Sequence, residues 1–137
     1  DEFTGEWSKY WTPDQPQEFR YFRASGGLYS TAMDYARWIS CWMDNTRLPG
    51  QPSKRLLSQP IVDAALRAYG SDEYGGYGYH WGLNDGDLFA FGHSGSDGTM
   101  AVAVPSLDLI VVYFTQSRGG ETLDEWRGAS WQALKPD

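Results

Sequence analysis

At residue 77 the spacing of apolar side chains changes from a helical period to a period of two. Before the change, Ala32, Tyr35, Ala36, Ile39, Trp42 and Met43 recur at the three- and four-residue intervals of one helix face. After it, Tyr77, Tyr79, Trp81 and Leu83 alternate with Gly78, His80 and Gly82, the pattern of a strand with one aromatic face and one nearly bare face. Helices followed by a run of strands, without regular strand–helix alternation, predict an α+β fold with an antiparallel sheet. The 137 residues suffice for one domain with a real core.

Turn and cap residues divide the chain further. Thr31, three before Asp34, starts a helix that should end near Asn45, before Pro49-Gly50. Ser58 is the N-cap of a second helix, with Pro60 in its first turn, a face of Val62, Ala65, Leu66 and Tyr69, and Gly70 to end it. Asn84-Asp85-Gly86 signals a hairpin after the strand from Tyr77 to Leu83, and Leu88 to Phe91 returns. A third strand, Thr99 to Val104, stops at Pro105, and Ser106-Leu107-Asp108 turns the chain into a fourth from Leu109 to Thr115. That fourth strand is apolar on both faces, so it is expected in the sheet interior. Thr122 and Glu125 cap a last helix whose stripe is Leu123, Trp126, Ser130, Ala133 and Leu134. The expectation is a sheet of three to four strands with helices. Residues 1–23 show no period and read as an extended segment pinned by Trp7, Tyr10, Trp11, Phe19, Tyr21 and Phe22.

Charge and rare residues narrow the function. The net charge of −7, with Lys and Arg scattered, argues against nucleic acid, whose phosphates such a surface repels. The lone Cys41 rules out an internal disulfide and sits in the first helix as a buried thiol. Two His and one Cys do not make a structural zinc site, and no cofactor is expected. The longest unbroken apolar run, Leu109 to Phe114, is far too short to span a membrane. The opening Asp-Glu-Phe-Thr has neither the basic start nor the apolar segment of a signal peptide, and no initiator Met; a mature product or an excised piece is expected.

The chemistry gathers at Phe91-Gly92-His93-Ser94-Gly95-Ser96-Asp97-Gly98-Thr99, which joins two apolar runs and holds one of the two histidines. Gly92-His93-Ser94-Gly95 nearly matches the nucleophile elbow G-x-S-x-G. The fifth residue is Ser96, however, a strand comes next where the elbow needs a helix, and both histidines precede the serine. The alternative is a strand edge presenting backbone and short side chains. Gly95 then gives clearance, the Ser96 N–H points at a developing oxyanion, the Ser94 hydroxyl holds a carboxylate, and His93 supplies a proton or a polar contact. Set against these readings, His93 is an idle loop histidine, His80 is a packing residue with nothing titratable near it in sequence, and Tyr77, Tyr79 and Trp81 are core rather than a sugar platform.

Three segments carry a resemblance. Ser25-Gly26-Gly27-Leu28-Tyr29-Ser30-Thr31-Ala32-Met33-Asp34-Tyr35-Ala36-Arg37 resembles the "AGGL-S-T-DLAR" segment of the serine beta-lactamase-like superfamily, which includes class C beta-lactamases, D-alanyl-D-alanine peptidases and related esterases. Tyr77-Gly78-Tyr79-His80-Trp81-Gly82 resembles its "YGYGW" strand. Phe91-Gly92-His93-Ser94-Gly95 resembles its third catalytic box, Lys-Thr-Gly in many members and His-x-Gly in others. Gly98-Thr99 and the run from Val104-Pro105 to Val112 match the family's pattern C-terminal to that box, so the resemblance covers residues 24 to 117 in order.

The resemblance implies a partial beta-lactamase/transpeptidase-like fold and a serine hydrolase that forms an acyl-enzyme. It makes His93 the polar residue of the third box, Ser94 the carboxylate holder, Gly95 the clearance and Ser96 the backbone oxyanion donor. The family's other boxes are Ser-x-x-Lys and Tyr-x-Asn or Ser-x-Asn, both N-terminal to the glycine pair. Lys9, Lys54 and Lys135 are preceded three residues earlier by Glu6, Gln51 and Gln132, and Asn45 and Asn84 are preceded two earlier by Met43 and Gly82, so neither box is present. The resemblance therefore implies the C-terminal portion of a longer hydrolase, with residues 1–70 the end of its helical part and 71–137 the sheet plus a C-terminal helix.

Three functions are consistent with these observations. The first is part of a hydrolase for a lactam, ester or peptide carbonyl, inactive alone, whose partners are a small-molecule or peptide substrate and the missing N-terminal part of the same fold. The second is a non-catalytic module that holds glycan or peptide on its aromatics. The third is a small esterase with Ser94 as nucleophile. The first also predicts self-association through an exposed sheet edge, and the resemblance favours a periplasmic or secreted setting.

Overall fold

A computed structural model describes residues 4–6, 14, 26–43, 47–48, 51–72, 75–84 and 86–115. The chain divides into two compact units, residues 1–30 and 31–137. In the first, the Glu6 N–H donates to the Thr4 hydroxyl at 3.3 Å. The expected pinned segment lies almost wholly outside the described residues, as does the expected C-terminal helix.

The second unit opens with helix α1 (Ala32–Met43). Thr31 caps it. Its hydroxyl accepts the Asp34 N–H at 3.1 Å and donates to the Asp34 carboxylate at 2.9 Å. Arg37 meets the same carboxylate at 2.8 Å. The Thr31 hydrogen bond first, and Arg37 second, hold the Asp34 carboxyl below its usual range. Tyr35, Trp38, Ile39, Trp42 and Met43 pack on the core. Trp38 lies outside the expected stripe, yet its ring reaches Trp81 at 5.3 Å between centroids; Ala32, inside that stripe, is exposed. Cys41 is buried as expected, and burial pushes its thiol up.

Two short strands that the spacing does not reveal come next, β1 (Arg47–Leu48) and β2 (Gln51–Arg55), paired antiparallel as a separate two-stranded sheet. Helix α2 (Gln59–Ala65) starts after Ser58, which holds the N-cap place in an extended conformation without a side-chain cap bond. The helix stops four residues short of Tyr69, the last residue of its expected face. The Ala65 carbonyl, which would continue it, accepts the Tyr79 N–H at 3.0 Å instead.

Six strands form the main sheet: β3 (Gly70–Asp72), β4 (Gly75–Tyr77), β5 (Gly82–Asn84), β6 (Ala90–Gly95), β7 (Thr99–Val104) and β8 (Leu109–Phe114). Each pairs antiparallel with the next, in the order β3-β4-β5-β6-β7-β8. The architecture is thus α+β with an antiparallel sheet, but with six strands where three to four are expected. One added strand is β3, where the second helix is expected to end, and the other comes from the expected single strand from Tyr77 to Leu83. It folds back at Gly78–Trp81, where the Gly78 N–H donates to the Trp81 carbonyl at 2.8 Å and His80 takes φ +72°. Gly78 also sits against the Ala65 carbonyl, with no room for a Cβ. Glycine at alternate positions thus serves a tight reversal docked on a helix end as well as it serves a bare strand face.

The aromatic face dissolves with the reversal. Trp81 is fully buried, whereas Tyr79 is 56% exposed. Trp81, Leu83, Phe91, Ala101, Ala103, Ile39 and Ala65 form the core, with the Trp81 and Phe91 rings edge-to-face at 5.2 Å. The return strand begins at Ala90 rather than Leu88, after the Gly86 N–H has closed onto the Asn84 side-chain oxygen at 2.9 Å. The apolar strand β8, expected in the interior, is a terminal strand of the sheet order; it is half-buried, and Phe114 is exposed. No described helix is long and apolar enough to cross a membrane.

Candidate active site

Strand β6 is flanked unequally. Ala90, Phe91 and Gly92 pair with Asn84, Leu83 and Gly82 of β5. On the other side, Phe91 to Gly95 pair with Ala103 to Thr99 of β7. Among the described residues the ladder with β5 therefore ends at Gly92, next to the Gly78–Trp81 reversal, while the ladder with β7 runs on through His93, Ser94 and Gly95.

The turn after Gly95 is held rigidly. The Gly98 N–H donates to the Gly95 carbonyl at 3.1 Å, and Gly98 has φ +80°, a geometry that suits a three-residue hairpin loop. Thr115 clamps the turn from beyond β8: its N–H and its hydroxyl both donate to the Gly98 carbonyl, at 3.1 and 2.8 Å. The turn's own hydrogen bond does not use the Ser96 amide, and Ser96 is exposed.

His93 is held at both ring nitrogens. Nδ1 is 2.6 Å from the Ser94 carbonyl oxygen, and Nε2 is 2.7 Å from the Tyr77 hydroxyl. Tyr77 and His93 meet past the N-terminal end of β5, ring edge to ring face. The His80 ring stacks on His93, 5.1 Å between centroids and 6° from parallel, and meets Trp81 edge-on at 5.5 Å. Desolvation against these neighbours, and second the charge that His93 can carry, hold the His80 imidazole below its ordinary value. Tyr69 and Tyr79 form a second, exposed stack at 4.9 Å.

Strand alternation sets His93 and Ser94 on opposite faces of the sheet, opposite Ala101 and Met100 respectively. His93 meets the Ser94 carbonyl, and alternation sends the two side chains to opposite faces, so the histidine is not placed as the base that a Ser94 nucleophile needs. The four sequence candidates are thus contiguous along the end of β6 and its turn, with His93 exposed and Ser94 half-buried. Tyr77 and His80 escape the sequence reading. They come to His93 only through the fold-back at Gly78–Trp81, and a period of two hides it. His80, read from the sequence as a packing residue with nothing titratable near it in the chain, packs in space on His93 and Trp81. Among the described residues, no three His, Cys, Asp or Glu side chains gather as a metal site.

A family model described as Beta-lactamase matches residues 3–135. No match is found among curated proteins.

Proposed function

The chain belongs to the beta-lactamase family, and from that premise we propose that it is the C-terminal part of a serine hydrolase acting on a lactam, ester or peptide carbonyl. The observation that carries the reading is where the ladders end: among the described residues β5 pairs with β6 only as far as Gly92, while β7 pairs on through His93, Ser94 and Gly95, so these three lie along an edge beyond the end of β5. A ligand laid along that edge comes within reach of residues from both sheet faces, which a ligand on either face alone does not. His93 is then the polar contact, the Ser94 hydroxyl holds a substrate carboxylate, and Gly95 leaves room for the acyl group. The Ser96 N–H faces the oxyanion that develops when a nucleophile adds to the carbonyl, a contact worth about 100- to 1000-fold in kcat at comparable sites. The nucleophile comes from residues outside this chain, because neither the Ser-x-x-Lys box nor the Tyr-x-Asn box occurs in it. The chain alone is therefore inactive, and its partner is the rest of the fold.

The test is labelling with a fluorophosphonate and a fluorescent penicillin, with adducts mapped by mass spectrometry. The 137-residue chain should take no adduct. Supplying the N-terminal part of the parent protein should restore labelling, on a serine outside this chain. An adduct on Ser94 would overturn the reading in favour of a compact esterase. The same reading keeps copies of the chain associating through a sheet edge, and a monomer by sedimentation at all concentrations would remove that part of it.

A further inference from the structure

We propose that Tyr77 is the positioning residue of His93, holding a neutral imidazole whose proton the Ser94 carbonyl keeps on Nδ1 and whose basic nitrogen, Nε2, is turned toward β4. A carbonyl oxygen can only accept, so the nitrogen 2.6 Å from the Ser94 carbonyl must carry a proton. A neutral imidazole has one proton, which leaves a lone pair on Nε2, and the Tyr77 hydroxyl at 2.7 Å donates to it. The opposite tautomer would set two lone pairs against each other at Nδ1.

Tyr77 has a second acceptor within reach, the His80 carbonyl, at 3.5 Å. When Nε2 takes up a proton, the phenol oxygen accepts from it and the phenol proton turns to that carbonyl. The bond between Tyr77 and His93 then reverses direction without breaking, and the ring stays where it is in both charge states. The groups that face the ring are Tyr77 from β4, the stacked His80 from the reversal and the apolar Ala101 across β7. His80 packs parallel to the ring and opposes its tilting, while Tyr77 supplies the direction. The assignment of a role in the reaction rests on the reading of His93 as the site's polar residue. The tautomer and its cause do not.

The experiment is a long-range ¹H–¹⁵N correlation spectrum of the 137-residue chain with ¹⁵N-labelled histidine, at a pH where both imidazoles are neutral. His93 should show a protonated Nδ1 and an unprotonated Nε2. In Tyr77→Phe the proton should stay on Nδ1 while the Nε2 signal moves toward the value of a nitrogen without a hydrogen-bond donor, with the backbone amide spectrum unchanged. Because Tyr77→Phe could unfold the chain, 3-fluorotyrosine at position 77 serves as a second variant: it keeps the ring, donates more strongly, and should shift the Nε2 signal further toward the hydrogen-bonded value. A wild-type spectrum with the proton on Nε2, or a His93 spectrum that neither variant moves, would overturn the proposal. None of these readings depends on whether penicillin labels a serine, so failure of the positioning role and failure of the hydrolase reading are told apart.

Discussion

Ala90, Phe91 and Gly92 lie between two strands, whereas His93, Ser94 and Gly95 lie beside one. The first three begin with the buried Ala90 and Phe91, and Phe91 touches Trp81 in the core. In the second three, His93 is exposed, Ser94 and Gly95 are half-buried, and the ring contacts of His93 come from the end of β4, through Tyr77, and from the reversal, through His80. One strand thus has an end packed into the core and an end where His93 is exposed. The boundary falls at Gly92, where β5 runs out. Chemistry needs groups that can reach a ligand, and stability needs groups that cannot reach water. Within six residues both requirements are met by letting a neighbouring strand stop early.

The sharpest way to break this comparison is to truncate one side chain on each side of the boundary. Phe91→Ala should cost about 3–5 kcal/mol, because it opens a cavity beside Trp81; chemical denaturation measures it. Gly78→Ala comes next, at about 1–3 kcal/mol, because its methyl group must displace the Ala65 carbonyl. It should also disturb the His80–His93 stack, visible as a change in the histidine ring signals, while leaving the Phe91 environment intact. A Gly78→Ala protein with unchanged stability would mean that the reversal is not docked on α2.

A smaller effect distinguishes the two histidines by pH. Folding lowers the pKa of His80, through desolvation and then through His93. The unfolded chain therefore takes up this proton first as the pH falls. The stabilising contribution is complete above the unfolded value of about 6.5 and is lost as the pH drops through the folded one. The melting temperature should fall on going from about pH 7.5 to about pH 5. His80→Asn, which tolerates a positive φ, should flatten that slope, and an unaltered slope would remove His80 from the cause. The smallest effect belongs to His93→Ala, expected within about 0.5 kcal/mol of the parent. A loss comparable to that of Phe91→Ala would erase the division of β6 into two kinds of half.

Much of this was legible in the chain itself. The stop at Pro105 and the apolar run from Leu109 place β7 and β8 to within a residue or two, because alternation and turn chemistry are local, whereas β6 starts two residues after and ends four residues beyond the expected return strand. Thr31 and Asp34 mark the start of α1 for the same reason. The reversal at Gly78–Trp81 was not legible. Tyr-Gly-Tyr-His-Trp-Gly alternates perfectly, and only the approach of the Ala65 carbonyl to Gly78 and of the Tyr79 N–H to Ala65 turns that alternation into a bend. The end of α2 was misplaced by the same contact. The position of β8 at the end of the sheet order shows a further limit, since an apolar strand reads alike whether a strand or some other part of the chain covers it.

By itself, then, the sequence determined the antiparallel run through β6, β7 and β8, the amphipathic helix α1, and the contiguous candidates His93, Ser94, Gly95 and Ser96, since each depends on residues within a few positions of one another. Only the tertiary structure decided that Tyr77 and His80 belong with His93, and that the pairing of β5 with β6 ends at Gly92. Those facts depend on where β5 begins, and that is set by how a tight reversal docks on the end of a helix, a contact between segments that no local pattern encodes.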